Sequence, residues 1–136
     1  MNLNQLQQQA FQHFQRGEYK DAATWYDRAR QSNPHLTSNY WYLGLALLLV
    51  GEEAEGQAVW FSVLAEANVE ESDRHLAELV DILTAEGARC LHQGELQPAE
   101  IIYRQLVEVD DENAKFYYYL DNAIAFQGRE DEAIAT

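Results

Sequence analysis

One cysteine, two prolines and nine basic residues among 136 exclude several classes of protein before any motif is sought. Cys90 alone closes no internal disulfide and offers no zinc-ligand spacing, which is consistent with a reducing cytoplasm. The scarcity of proline, with 47% apolar residues and abundant Gln, Glu, Ala and Leu, describes a soluble helical chain rather than a disordered one. No stretch alternates in the strand-turn-strand manner. The longest apolar run, Tyr40 to Val50, spans eleven residues, about half of what a bilayer crossing requires. No basic segment precedes an apolar stretch near the N-terminus, so no secretory or transit signal is expected. None of the seven glycines falls in a G-x-G-x-x-G or G-x-x-x-x-G-K series, which removes the phosphate-binding loops.

Basic residues are scarce where acidic ones crowd. Residues 1–51 carry four basic and three acidic groups, whereas residues 52–136 carry five basic and twenty acidic, for a net charge of −14 overall. Phosphate binding rests on clustered Lys and Arg, so neither nucleic acid nor an anionic membrane is an expected partner. The field favours a neutral or basic partner, and it equally describes solvated helix faces that keep the chain soluble.

What is present is a period. Gly17, Gly51, Gly94 and Gly128 recur at spacings of 34, 43 and 34 residues, and five residues after each comes Ala22, Gly56, Ala99 or Ala133. Four residues further on stand Tyr26, Trp60 and Tyr103. Such self-similarity marks stacked helix-turn-helix units, each of which needs a neighbour to bury its apolar face. Apolar spacing predicts helices over Asn4–Gln15, Tyr19 to Asn33, Thr37–Val50, Glu52–Ala67 and Glu95–Val109. Glu70 to His92 reads as one long helix, with Glu70, Glu71 and Asp73 favourably placed near its positive end. A last pair is expected as Asn113–Gln127, a break at Gly128, and a short helix from Glu130 to Thr136. So short a second helix would be explained if the chain is a piece of a longer protein cut within its fourth repeat, or by a half-length capping helix.

These residues resemble the tetratricopeptide repeat. Tyr40, Leu43, Gly44, Leu47, Gly56 and Trp60 match it in the second unit, Ala22, Tyr26, Ala29 and Pro34 in the first, Gly87, Ala99 and Tyr103 in the third, and Tyr117, Leu120 and Ala133 in the fourth. Asp121 and Asp111 depart from it where the family has glycine and proline, and the first unit lacks Leu-Gly. The resemblance implies an all-α fold, a right-handed α-solenoid of antiparallel helix hairpins in about three and a half repeats over residues 1–136. The repeats would span about 3–36, 37–68, 69–113 with an extended first helix, and a truncated 114–136. It further implies a concave groove lined by Phe11, Phe14, Trp41, Leu45, Leu48, Leu91, Lys115, Tyr118 and Asn122, with Ala88 and Ala125 beside them. The same side chains are alternatively the interior filling of the stack. An apolar, aromatic groove suits an extended or helical peptide. Gln7, Phe11 and Tyr42 stand where a Lys and Asn set for gripping C-terminal carboxylates would be needed, so that mode of binding is not expected. Met1 to Tyr19 and Tyr40 to Trp60 are also similar to the repeat-containing front ends of cyanobacterial glycosyltransferases of the O-linked N-acetylglucosamine transferase type and of sugar-linked methyltransferases.

Candidates for chemistry are few. His13, His35, His75 and His92 are scattered, and in Cys90-Leu91-His92 the two ligand types lie two apart on a helix, about 200° from one another. Asp110-Asp111-Glu112 lacks the alternating ligands, glycine and distal glutamate of a calcium loop and suits a helix start instead. The expectation is a noncatalytic cytoplasmic interaction module with no metal or cofactor, binding a protein or peptide. Two alternatives stand beside it: a segment recruiting partners or substrates to a glycosyltransferase or methyltransferase catalytic domain, and a self-association module whose face around Tyr103, Ala123, Ile124 and Ile134 a second copy would cover.

Overall fold

Three of the four recurrent glycines end a helix in the same way. Gly17, Gly51 and Gly94 have φ of +77°, +93° and +76°, a left-handed conformation that costs other residues about 1–2 kcal/mol. At each, the following residue is a glutamate whose amide donates to the carbonyl five residues back: Glu18 to His13 at 2.9 Å, Glu52 to Leu47 at 2.8 Å and Glu95 to Cys90 at 2.8 Å. That bond closes the helix C-terminus, and the same glutamate then stands at the N-cap of the next helix, where negative charge meets the positive end of the helix dipole.

The computed structural model describes the backbone of residues 2–135 and the side chains of residues 2–128. Seven helices occupy it: α1 Leu3–Gln15, α2 Tyr19–Ser32, α3 Thr37–Leu49, α4 Glu53–Glu66, α5 Val69–His92, α6 Leu96–Val109 and α7 Ala114–Ala135. No strand occurs among the described residues, and none of their helices is long and apolar enough to cross a membrane. Asparagines open several of the helices. Asn2 and Gln5 form a reciprocal capping box on α1, Asn68 accepts from the Glu71 amide at 2.9 Å ahead of α5, and Asn113 accepts from the Lys115 amide at 3.0 Å ahead of α7. Each such oxygen satisfies a backbone donor that the helix leaves unpaired.

The long helix expected over Glu70 to His92 is present as α5, 24 residues from Val69. The break expected at Gly128 is not. α7 runs through Gly128 as far as Ala135, and Gly128 is not in the left-handed region. Glycine inside a helix costs about 1 kcal/mol against alanine, too little to stop a helix whose flanking residue types, here Gln127 and the Arg129 to Ala133 run, propagate it well. The separate helix from Glu130 is therefore replaced by the end of α7. Of the self-association face around Tyr103, Ala123, Ile124 and Ile134, the side chain of Ile134 lies outside the described residues.

The chain falls into two compact units, one up to Leu79 and one from Val80. In the first, α1 packs on α2, α2 on α3 and α3 on α4. Ala10, Ala22 and Ala29 are fully buried, and small side chains there let the helix axes approach closely. α3 departs from a one-sided pattern: Asn39, Trp41, Leu43, Gly44, Leu45, Ala46 and Leu48 are all buried, as is usual for a helix apolar all round. In the second unit α6 packs on α7, and Gln127 of α7 donates to Glu100 at 2.8 Å and to the Leu96 carbonyl at 3.4 Å on α6. Tyr103 is buried against Gly87, where a Cβ would come within 3.0 Å of its ring.

Candidate functional site

A cleft of about 620 Å³ opens in the second unit, lined by three helices. α5 supplies Thr84, Ala88, Leu91 and His92, which fall at helical steps on one face. α6 supplies Leu96 and Tyr103, and α7 supplies Lys115, Phe116, Tyr118, Tyr119, Asn122 and Phe126. Tyr118 and Phe126 are among the exposed apolar residues of the chain, at 62% and 46%. Tyr119 bridges inside and outside, its ring centroid 5.4 Å from that of buried Tyr103 and 5.4 Å from that of Tyr118. A volume of this size is in the range of ligand sites, which are mostly apolar with a few polar groups fixing orientation. Here those groups are Thr84, His92, Lys115 and Asn122.

The residues expected to line a groove divide sharply. Leu91, Lys115, Tyr118 and Asn122, with Ala88, come together on this one cleft. In the first unit Phe14, Trp41, Leu45 and Leu48 are at most 2% exposed, so they are core and offer nothing to a partner; the groove drawn through them from the sequence is corrected accordingly. For Trp41, Leu45 and Leu48 the reason lies in α3, whose buried residues are spread around the helix instead of along one stripe, while Phe14 is buried on α1. Trp41 is fixed by polar groups as well: its Nε1 donates to Glu78 Oε1 at 3.0 Å, Thr37 Oγ1 donates to the same oxygen at 2.9 Å, and the Trp41 carbonyl accepts from Trp60 Nε1 at 3.0 Å. Phe11 remains 40% exposed, edge-on to Tyr42 at 6.4 Å.

Sequence reasoning missed Phe116, Phe126 and Tyr119 as cleft residues. The signal was available in their steps of three, four and seven from Tyr119 and Asn122, had the α7 stripe been drawn wide enough for a globular helix face. It also missed a surface grouping around the Gly17 turn, where ligand atoms of His13, Glu18 and Asp21 lie within 4.8 Å of one another. His13 Nδ1 and Glu18 Oε1 are 3.2 Å apart there, a pairing that ties the end of α1 to the start of α2.

Two buried groups of the second unit are held in their neutral forms. Burial pushes the Cys90 thiol up to about 12, with neighbouring Glu95 and Glu86 adding to it and Arg89 opposing. Burial likewise pushes the Tyr103 phenol up to about 12, helped by Tyr119. In an unfolded chain the same groups ionise near their ordinary values of about 8.5 and 10. Above those values the unfolded state therefore holds fewer protons than the folded one, so stability falls as pH rises. The expected outcome is full stability below pH of about 8.5 and a progressive loss toward pH 12, read as a falling urea midpoint. Cys90→Ala should remove the portion that begins lowest. Iodoacetamide at pH 8 should leave Cys90 unmodified until denaturant exposes it, because the thiolate is the nucleophile. In comparisons with known proteins, no family model, no curated protein and no solved structure matches this chain.

Proposed function

We propose that this chain is a noncatalytic interaction module of the tetratricopeptide type, a short right-handed solenoid of helix hairpins, which takes a protein or peptide segment into the cleft between α5, α6 and α7. The observation that carries the reading is the convergence of Leu91, Lys115, Tyr118 and Asn122 on one apolar, aromatic cleft, at positions that the tetratricopeptide resemblance implies for a concave face. The repeated glycine closures at Gly17, Gly51 and Gly94 and the small residues between crossing helices support the repeat architecture. Side chains with the chemistry of acyl, phosphoryl or hydride transfer do not gather in the cleft, whose lining holds one histidine and no acid. A cytoplasmic setting suits the buried free thiol of Cys90.

Selection from a displayed library of random 12-residue peptides tests this. The parent should enrich segments with aromatic or leucine anchors at three- or four-residue steps, and Tyr118→Ser should weaken them about tenfold or more, as loss of a central aromatic contact does. Phe61→Ser is the control, since Phe61 is exposed in the first unit and outside the cleft. No enrichment, or peptides held equally by Tyr118→Ser, would overturn the proposal.

A further inference from the structure

Among the described residues, unit 2 carries an aromatic face and a carboxylate with no cation on them, whereas unit 1 fills the same combination from its own chain. In unit 1, Arg30 donates to Asp27 three residues earlier on α2, its Nε at 3.0 Å, and its guanidinium lies 5.8 Å from the centre of the Tyr40 ring. Arg28 lies similarly over Trp25, at 4.8 Å. On α7, Tyr118 and Asp121 are also three residues apart, a spacing that brings side chains on a helix to about 5–6 Å between Cβ atoms. Both are exposed, and neither has a cationic partner among the described residues.

The surroundings point the same way. Among the described side chains from residue 80 on, nine are acidic and three are Lys or Arg. Arg89 is held by Glu86 at 2.8 Å and Arg104 by Glu100 at 2.9 Å. Asp81 lies one turn before Thr84 on the cleft-facing stripe of α5 and is exposed. The cleft is thus largely apolar, the helices that line it also carry the exposed Asp81 and Asp121, and Lys115 is the one Lys or Arg in its lining among the described residues.

We infer that the segment bound in this cleft carries an arginine next to its apolar anchor, with the guanidinium placed on Tyr118 and Asp121. The inference rests on the cleft being the binding site and adds the chemistry of its occupant. A planar guanidinium suits the pair because it stacks on a ring while donating two bonds to a carboxylate.

The test is nuclear magnetic resonance titration of the whole chain with three probes at millimolar concentration: N-acetyl-Trp-Arg-amide, N-acetyl-Trp-Gln-amide and N-acetyl-Trp-Glu-amide. The arginine probe should bind about fivefold more tightly than the glutamine probe, which is the size of an exposed ion pair and cation–π contact together. The glutamate probe should bind most weakly. Asp121→Asn and Tyr118→Leu should each shrink the arginine preference, Asp73→Asn in the first unit should leave it unchanged, and added salt should narrow it. Equal binding of all three probes would overturn the inference while leaving the cleft intact, and a glutamate preference set by Lys115 would do the same. Absence of any response at Ala88, Tyr118 or Asn122 would remove the cleft reading itself. Cleft resonances that move on dilution of the protein alone would assign the face to a second copy and overturn the inference as well.

Discussion

Gly44→Ala should lower stability by about 2–4 kcal/mol, although alanine is the better helix former by about 1 kcal/mol. A Cβ at position 44 would lie 2.2 Å from Trp60 Nε1, 2.6 Å from Cδ1 and 2.7 Å from Cε2, inside contact distance of three atoms of a rigid ring. The indole has nowhere inexpensive to go. It is buried, and its N–H is committed to the Trp41 carbonyl at 3.0 Å. Moving it strains the core by about 1–3 kcal/mol and leaves a buried donor and acceptor unpaired, a further cost of about 1–3 kcal/mol. Withdrawal of α3 from α4 is the other route. It would separate a crossing so close that a Cβ on Gly56 would meet the Gly44 carbonyl oxygen at 2.5 Å.

A falling urea midpoint at constant slope is the expected readout. Gly128→Ala is the matched comparison: nothing lies within 4 Å of a Cβ there, so helix propensity acts alone and the midpoint should rise. Combining Gly44→Ala with Trp60→Leu should cost less than the two changes summed, because the smaller side chain vacates the space that the methyl needs. A Gly44→Ala midpoint at or above the parent's would mean that the helix crossing is not set by this contact.

The four recurrent glycines mark where the fold was legible in the sequence and where it was not. Gly17, Gly51 and Gly94 could be read because their role is local: a residue without Cβ, followed by a break in apolar spacing, needs no distant partner to end a helix. The boundaries of α1 to α6 accordingly fall within a residue or two of the expected ones. Gly128 carries the same letter in a context that does not turn, and the letter alone does not separate a closing glycine from an interior one. Lys115, Tyr118 and Asn122 of α7, positions that the tetratricopeptide resemblance implied, share one cleft because steps of three and four keep them on one side of that helix. α3 has no such side. When Trp41, Leu43, Leu45 and Leu48 surround a helix, periodicity cannot say which of them faces outward, and the answer comes from residues far along the chain, such as Glu78, 37 positions beyond Trp41.

Trp41→Ala decides between the two roles the sequence allowed for that residue. As a core side chain with no exposed surface, its removal should cost about 3–5 kcal/mol, the range for emptying a large aromatic site. The cavity is one part of the loss. The other is Glu78, whose Oε1 would keep the Thr37 hydroxyl at 2.9 Å and lose the indole donor at 3.0 Å. Trp41→Phe helps to separate them, because it keeps a large part of the ring volume while removing the N–H. Its cost should be about 1–2 kcal/mol, near that of a hydrogen bond to a charged acceptor. Glu78→Gln keeps an acceptor oxygen for both donors, so it should cost less than either change at Trp41. Had Trp41 faced a bound segment instead, Trp41→Ala would weaken peptide capture and leave the urea midpoint where it was. The expected result is the reverse pairing: a midpoint lowered far enough that the variant is partly unfolded at 37 °C, and a Tyr118→Ser variant that melts with the parent while losing its peptide.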